Sequence, residues 1–578
     1  MLRNGLPGKE VLDSIQESFR DNTANNNGKS FELGSYRALL FALKGVSSFE
    51  EAESYLNPSH KQLHNPFLMK GMDKAVARIN RAIDNRRRIM VYGDYDVDGT
   101  TSVAMMYKFL KWFGVEVFPY IPDRFSEGYG ISFKGVEFAS YVGADLIIAL
   151  DCGIKAHDQA AYCRQKGIDL IICDHHNPGD ALPLAHAVLD PKQQGCTYPF
   201  KELSGCGIGY KVMQAIAYKK LLHYKLPNQF LDLVAISIAS DIVPMRGENR
   251  ILARLGLQKL DKKPLTGVKA LKVNSGVNEN SDIPDIVFKV GPRINAAGRL
   301  GSAMDAFRLL SCENLEQAMY LAGEINTSNQ QRKNVDESIT EEAAKMVEDT
   351  PEWAENYSLV LANPEWHKGV IGIVASRIVE KYYKPTILLT ESKGLLTGSA
   401  RSIPGFDLYE AINSCNQYLE AFGGHKAAAG LSIKKEHLNE FREAFEKAVK
   451  ERITEEMLTP VLEYDLEIPF SAVTKNFCKT LTRLGPYGPE NMRPVFVSRN
   501  VENVNLPRLV GNNHVKMLLR QKKGEKLSAI GFKMGHLLED LRKNPVVDIC
   551  YSIEENHFNG TTRYELNLKD IKIRNEAE

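Results

Sequence analysis

Neither sign of charge is in excess: 73 Lys and Arg face 72 Asp and Glu over 578 residues, a formal net charge of +1. That balance excludes a surface that attracts polyanions everywhere, so any polyanion must be held in a local basic groove. Cysteine is sparse. The nine are an odd number without Cys-x-x-Cys spacing, which argues against a disulfide framework and reads as reduced thiols of a cytoplasmic protein. No signal peptide or membrane span stands out, and the apolar stretch 231–242 is interrupted by Asp232 and Asp241. Low-complexity tracts are also missing. With 43% hydrophobic and 25% charged residues, the composition is ordinary globular, and the length calls for three or four domains rather than one core.

What is present is concentrated carboxylate. Residues 91–99 read Val-Tyr-Gly-Asp-Tyr-Asp-Val-Asp-Gly, placing Asp94, Asp96 and Asp98 directly after an apolar, β-branched run that begins at Ile89. Three carboxylates in one turn repel one another unless cations sit among them. Two more apolar runs end the same way: 146–150 stops at Asp151, and 168–173 stops at Asp174-His175-His176. Both are apolar almost throughout, as central strands of a parallel sheet are. Helix-like stretches at 100–113 and 156–166 separate the runs, so strand and helix alternate and the strand ends share one edge, where ligands bind. Asp241 ends a further apolar segment, 231–239, and has to reach that edge from the end of a helix. Each element alone has a plain explanation, a turn aspartate or a hydrogen-bonded histidine pair; all of them at successive strand ends point to metal. Mixed carboxylate and imidazole without thiolate suits manganese, magnesium, iron or zinc. The supply of ligands is large enough for two ions sharing a bridging carboxylate, the usual clamp for in-line attack at phosphorus, which makes phosphoester hydrolysis the leading chemistry.

The Asp-x-Asp-x-Asp-Gly run, the lone strand-end Asp151, the Asp-His-His triplet and the later Asp241 resemble, in order and spacing, the DHH phosphoesterase superfamily and, within it, the bacterial RecJ exonucleases. The likeness extends to 63–69 (Leu-His-Asn-Pro-Phe-Leu-Met), 291–299 (Gly-Pro-Arg-Ile-Asn-Ala-Ala-Gly-Arg) and 423–430 (Gly-Gly-His-Lys-Ala-Ala-Ala-Gly), and covers the chain from about Phe49 to near its C-terminus. It implies that Asp94 and Asp96 hold a first ion, that Asp98, His175 and Asp241 hold a second, that Asp151 bridges, and that His176 faces the scissile phosphate. Many DHH phosphatases carry a histidine where this chain has Tyr92, so Asp94 is expected to replace that ligand. The resemblance further implies that Ser399 and Arg401 seize a 5′-phosphate, that Arg124 and Tyr129 guide the strand, and that Arg293 and His425 contact substrate. Guanidinium forks and hydroxyl donors do match phosphate oxygens.

The expected fold class is α/β: an N-terminal region (1–72, with a polar, mobile segment at 22–28), a parallel-sheet DHH catalytic domain (73–245), a helical linker region (246–356) with a long connecting helix over 314–349, a second α/β DHH-associated domain (357–452), and a C-terminal all-β barrel (457–578). Residues 514–520 and 564–569 alternate with period two, as half-buried antiparallel strands do, and the RecJ likeness implies an oligonucleotide-binding (OB) fold there. Lys516, Arg520, Lys522 and Lys523 are candidates for a basic groove; Phe532, Tyr551 and Phe558 are candidates for base stacking, with core packing the commoner fate of such aromatics. The resemblance implies a monomeric Mn²⁺- or Mg²⁺-dependent 5′-to-3′ exonuclease on single-stranded DNA that releases 5′-mononucleotides by a two-metal mechanism. It also implies roles in recombination and repair beside a RecQ-type helicase and a single-strand-binding protein. A phosphoesterase on short oligonucleotides or cyclic dinucleotides, and a DNA-binding relative that has lost its metals, are the rival readings.

Overall fold

The computed structural model describes residues 35–223, 225–558 and 561–573, together with Asp13 and Ile15; the segment 22–28 lies outside the described residues. The first sheet is five-stranded and wholly parallel, in the order β2-β1-β3-β4-β5. Its strands are β1 (Ile89–Gly93), β2 (Val117–Tyr120), β3 (Leu146–Leu150), β4 (Asp169–Cys173) and β5 (Ala187–Leu189). β1 and β3 are buried along their whole length. Alternate residues feed two cores: Ile89, Val91, Leu146, Ile148 and Leu150 pack on one face, and Met90, Tyr92, Ile147 and Ala149 on the other. Burial on both faces is why these strands read as unbroken apolar runs rather than alternating ones. The expected helices lie at Val97–Lys111 and His157–Gln165. The 231–240 segment is a helix, Leu231–Ser240, with Asp241 at its C-cap.

The long connecting helix runs Leu315–Glu348, capped by the Asn314 side chain on the Gln317 amide. It leads to a second sheet, β6-β7-β8-β10-β9, built from β6 (Leu359–Ala362), β7 (Thr386–Ser392), β8 (Leu395–Arg401), β9 (Leu419–His425) and β10 (Ala428–Ile433). Only β6 and β7 are parallel.

The third sheet carries β11 (Leu466–Glu467), β12 (Val495–Asn503), β13 (Arg508–Val510), β14 (His514–Arg520), β15 (Lys526–Gly531), β16 (Val546–Phe558) and β17 (Thr561–Ile573). β12 pairs with both β16 and β14, so β12, β16, β17, β15 and β14 form a closed circuit of pairing, with the short β11 and β13 at its margins. Tyr551 is fully buried, its hydroxyl hydrogen-bonded with Ser498; it is a core residue and cannot stack on bases. Phe532 is half exposed against the His514 ring, and the Phe558 side chain lies outside the described residues. Lys516 and Arg520 are engaged by Glu565 and Glu502, whereas Lys522 and Lys523 are exposed.

The N-terminal helices Ser35–Ala42 and Phe49–Leu56 do not stand alone. Ala38, Leu40, Phe41 and Ala52 share a core with Leu466, Phe477 and Leu484 of the C-terminal region. Arg250, 4% exposed, clamps this junction by donating to the carbonyls of Tyr55, Arg483, Leu484 and Gly485.

Candidate metal centre and phosphate pocket

Because β1, β3 and β4 are parallel and adjacent, the residues just past their ends meet on one edge. His175 Nε2 lies 3.2 Å from Asp151 Oδ1, 3.5 Å from Asp241 Oδ2 and 3.9 Å from Asp98 Oδ2. Two sets of groups stand close enough to share an ion, Asp98 with His175 and Asp241, and Asp151 with His175 and His176. The helix end thus brings Asp241 in, as the sequence required of it. Asp151 sits at φ +61°, a left-handed conformation uncommon outside glycine, of which aspartate is one of the more tolerant residues. A side chain on Gly205 would collide with Asp151, its Cβ falling 2.5 Å from that of the aspartate.

Asp98, almost fully buried, accepts from the Gly205 amide (2.6 Å), the Cys206 amide (2.8 Å) and the Ser237 hydroxyl (2.7 Å). Asp96 caps the Val97–Lys111 helix by accepting from Gly99. Asp94 accepts from the Gly130 amide at 3.3 Å. Tyr92, at the position of the family histidine, is fully buried and points to the other face of the sheet; its hydroxyl donates to the Gly130 carbonyl and accepts from the Ser132 amide. It is no ligand, but it anchors the loop that holds Asp94.

The electrostatics of this edge are those of a site built for cations. Burial, then the Asp96 charge, raises the Asp94 carboxyl to about 7; burial, then Asp98 and Asp96, raises Asp241 to about 9; burial and the same two neighbours hold Asp151 well above the carboxylate range. Burial lowers His175. Asp94 Oδ2, Asp151 Oδ1, His175 Nε2 and Asp241 Oδ2 are buried with no hydrogen-bond partner. Native proteins pair the great majority of such atoms, and this hard oxygen and imidazole donor set fits Mn²⁺ or Mg²⁺.

Asp174 holds the histidine pair in place, a part that sequence reasoning misses. Its Oδ1 lies 2.7 Å from His176 Nδ1 and also accepts the His175 and His176 amides, while Oδ2 accepts from Ile154. Burial opposes the His176 charge, but this contact prevails and raises the imidazole above its ordinary value. The signal is in the triplet itself, whose first member is as buried as the second. Tyr129 sets its hydroxyl 3.1 Å from His176 Nε2 and 3.3 Å from the Asp151 carbonyl.

A cavity of about 430 Å³ adjoins this edge and is lined from three regions: Tyr95, Arg124 and Phe125, then Arg299, then the second domain's Lys368, Ser399 and Arg401. Thr397, Ser399 and Arg401 alternate along one face of β8, and Gly372 keeps the facing helix clear, since a Cβ there would come within 3.0 Å of Arg401 Nη2 and Ser399 Oγ. Arg124 stacks on Tyr95, its guanidinium carbon 4.9 Å from the ring centre. Burial, followed by Arg124, Arg332 and Arg401, lowers Arg299 to about 10, and its guanidinium donates to the Gly369 carbonyl at 2.7 Å. The 291–299 motif holds both Arg293, the expected substrate contact, and Arg299, which sequence alone does not single out. The structure does not bring Arg293 to either cluster: its guanidinium is spent on Asn326, the Lys289 carbonyl and the Asn274 carbonyl. His425 is exposed on β9, at the edge of its sheet, and does not line the cavity.

Comparison with known proteins agrees with this architecture. Residues 88–238 match the DHH family N-terminal domain, 356–451 the DHHA1 domain and 464–570 the RecJ OB domain. These matches define the class: a DHH phosphoesterase with its associated domain and an OB module. The single-stranded-DNA-specific exonuclease RecJ of Bacillus subtilis (strain 168) is 37% identical over 540 residues, covering 93% of this chain and 68% of the relative. The Escherichia coli (strain K12) protein of that name is 32% identical over 552 residues, covering 92% and 95%. The crystal structure of RecJ from Thermus thermophilus in complex with Mn²⁺ superposes with a TM-score of 0.81 at 27% identity, over 99% of this chain and 79% of that one. The chain belongs to the RecJ family of exonucleases.

Proposed function

We propose that this chain is a divalent-metal-dependent exonuclease that removes nucleotides from single-stranded DNA in the 5′-to-3′ direction and releases 5′-mononucleotides. The observation that carries the reading is the meeting of Asp98, Asp151, His175 and Asp241 within 3.9 Å of one imidazole nitrogen, beside a cavity lined by Arg124, Arg299 and Arg401. In this reading Asp98, His175 and Asp241 hold one ion, Asp94 and Asp96 the other, and Asp151 lies between them. Bound Mn²⁺ or Mg²⁺ supplies Lewis-acid neutralisation of the phosphoryl charge and activation of the attacking water.

The protein's own residues do the rest. Ser399, Arg401, Arg299 and Arg124 take the terminal phosphate, and their separation from the carboxylates fixes how far into the strand the cut falls. His176, oriented by Asp174, holds a proton toward the scissile phosphate. The exposed Lys522 and Lys523 draw in the trailing strand. A RecQ-type helicase to expose single strands and a single-strand-binding protein to present them complete the functional setting, with this chain acting as a monomer. No helix among the described residues is long and apolar enough to cross a membrane, and we place the enzyme in the cytoplasm with the DNA it processes.

The test is degradation of end-labelled single strands with Mn²⁺, blocked at one end or the other. Asp151→Ala should abolish product, and equal rates for wild type and variant would sink the catalytic assignment. Arg401→Ala should slow 5′-phosphorylated strands most; equal slowing of 5′- and 3′-phosphorylated ends would place the polarity pocket elsewhere.

A further inference from the structure

One group at the metal edge acts on neither substrate nor ion. Ser237 is fully buried in the Leu231–Ser240 helix. Its hydroxyl reaches Asp98 Oδ1 at 2.7 Å and lies 2.7 Å from the Ser204 hydroxyl, which in turn accepts from the Gly207 amide at 3.1 Å. The proton order of this chain is forced. Ser237 donates its one hydroxyl hydrogen to Asp98 Oδ1; it can then only accept from Ser204, whose own oxygen takes the Gly207 amide proton. Every hydroxyl therefore points toward the carboxylate. Ser237 also stands one turn before Asp241, whose amide donates to the Ser237 carbonyl at 2.9 Å. One residue thus ties together two of the three groups assigned to one ion: with the Cys206 amide on the same oxygen and the Gly205 amide on Oδ2, Ser237 is the side-chain donor that holds Oδ1 of Asp98, while Oδ2 lies 3.9 Å from His175 Nε2.

Resting on the ligand assignment above, we infer that Ser237 is a positioning residue that sets the affinity of the ion held by Asp98, His175 and Asp241, through a one-way hydroxyl relay from Ser204. Partners one shell beyond the ligands typically change metal affinity about 10–100-fold. The relay orients a ligand that comes from a different helix, so its loss should be felt at one ion and not at both.

The experiment is calorimetric titration of the full-length protein with Mn²⁺ alone, without DNA, alongside thermal unfolding to confirm folding. Wild type should bind two equivalents; failure to do so overturns the ligand assignment itself, independently of Ser237. In Ser237→Ala one equivalent should weaken by about 10–100-fold and the other should bind as in wild type. Ser237→Thr and Ser237→Val provide the stricter pair, equal in shape and different only in the hydroxyl: Thr should bind like wild type and Val like Ala. Raised Mn²⁺ should restore hydrolysis in the Val variant. The inference fails if Thr and Val bind Mn²⁺ alike, or if both equivalents weaken together.

Discussion

At the scale of single residues, the carboxylates of the metal edge are held in a state their surroundings oppose. Asp94 and Asp241 have folded-state values of about 7 and about 9, above the roughly 3.9 of an unfolded aspartate. Above that lower value the unfolded chain has released protons that the native state still holds, so native stability falls as pH rises from about 4 toward 9. Chelator-treated protein should therefore melt at lower temperature at pH 8 than at pH 5.5, and the stabilisation by Mn²⁺ should be larger at pH 8, because ligands must lose protons to bind. A thermal-shift series with and without Mn²⁺ checks this; a shift independent of pH would contradict it. The two arginines of the 291–299 motif should separate by phenotype. Arg299→Ala should raise KM for 5′-phosphorylated strands about tenfold or more, as removal of a charge-assisted hydrogen bond does, and should cost less stability than Arg293→Ala, since it gives up one carbonyl hydrogen bond, to Gly369, where Arg293 gives up three contacts. Arg293→Ala should lower stability by about 1–3 kcal/mol and leave the choice of end unaltered.

At the scale of elements, the helix Gly247–Lys262 carries Arg250 into a junction that joins the N-terminal helices to the C-terminal sheet. Its guanidinium satisfies four carbonyls there. Arg250→Ala would leave several of them buried and unpaired, each at a cost of about 1–3 kcal/mol, so urea denaturation should show a loss of about 3 kcal/mol or more. The same element scale explains what could be read in advance. β1, β3 and β4 were legible because strands buried on both faces are apolar throughout, and β14 matched its period-two pattern over 514–520. β2 and β5 were not, being edge strands of three or four residues whose sequence carries little pattern. The aromatic Tyr551 could not be assigned from pattern, since the inward and outward faces of a closed sheet both accept a ring.

At the scale of the whole molecule, a net charge of +1 confines strand binding to built features. Lys522 and Lys523 stand at the turn between β14 and β15 with no ion-pair partner among the described residues. Changing both to Glu should weaken binding of long strands and flatten its dependence on salt by about one unit of slope for each phosphate no longer engaged, while hydrolysis of very short strands holds. Filter binding over a salt series measures the slope; an unchanged slope would remove these lysines from the groove.

The groups that meet at the candidate metal edge were decided by sequence: carboxylates and imidazoles placed one step past buried apolar runs come together whenever those runs are parallel neighbours, because that topology puts every strand end on one edge. Which arginines line the cavity was decided only by the tertiary structure. Arg293 and Arg299 belong to one motif and one helix, and their chemistry is identical. A separation of six residues on a helix turns them to different sides, one toward the acceptors of neighbouring helices and the other into a cavity that exists only where two domains and their connecting helices meet.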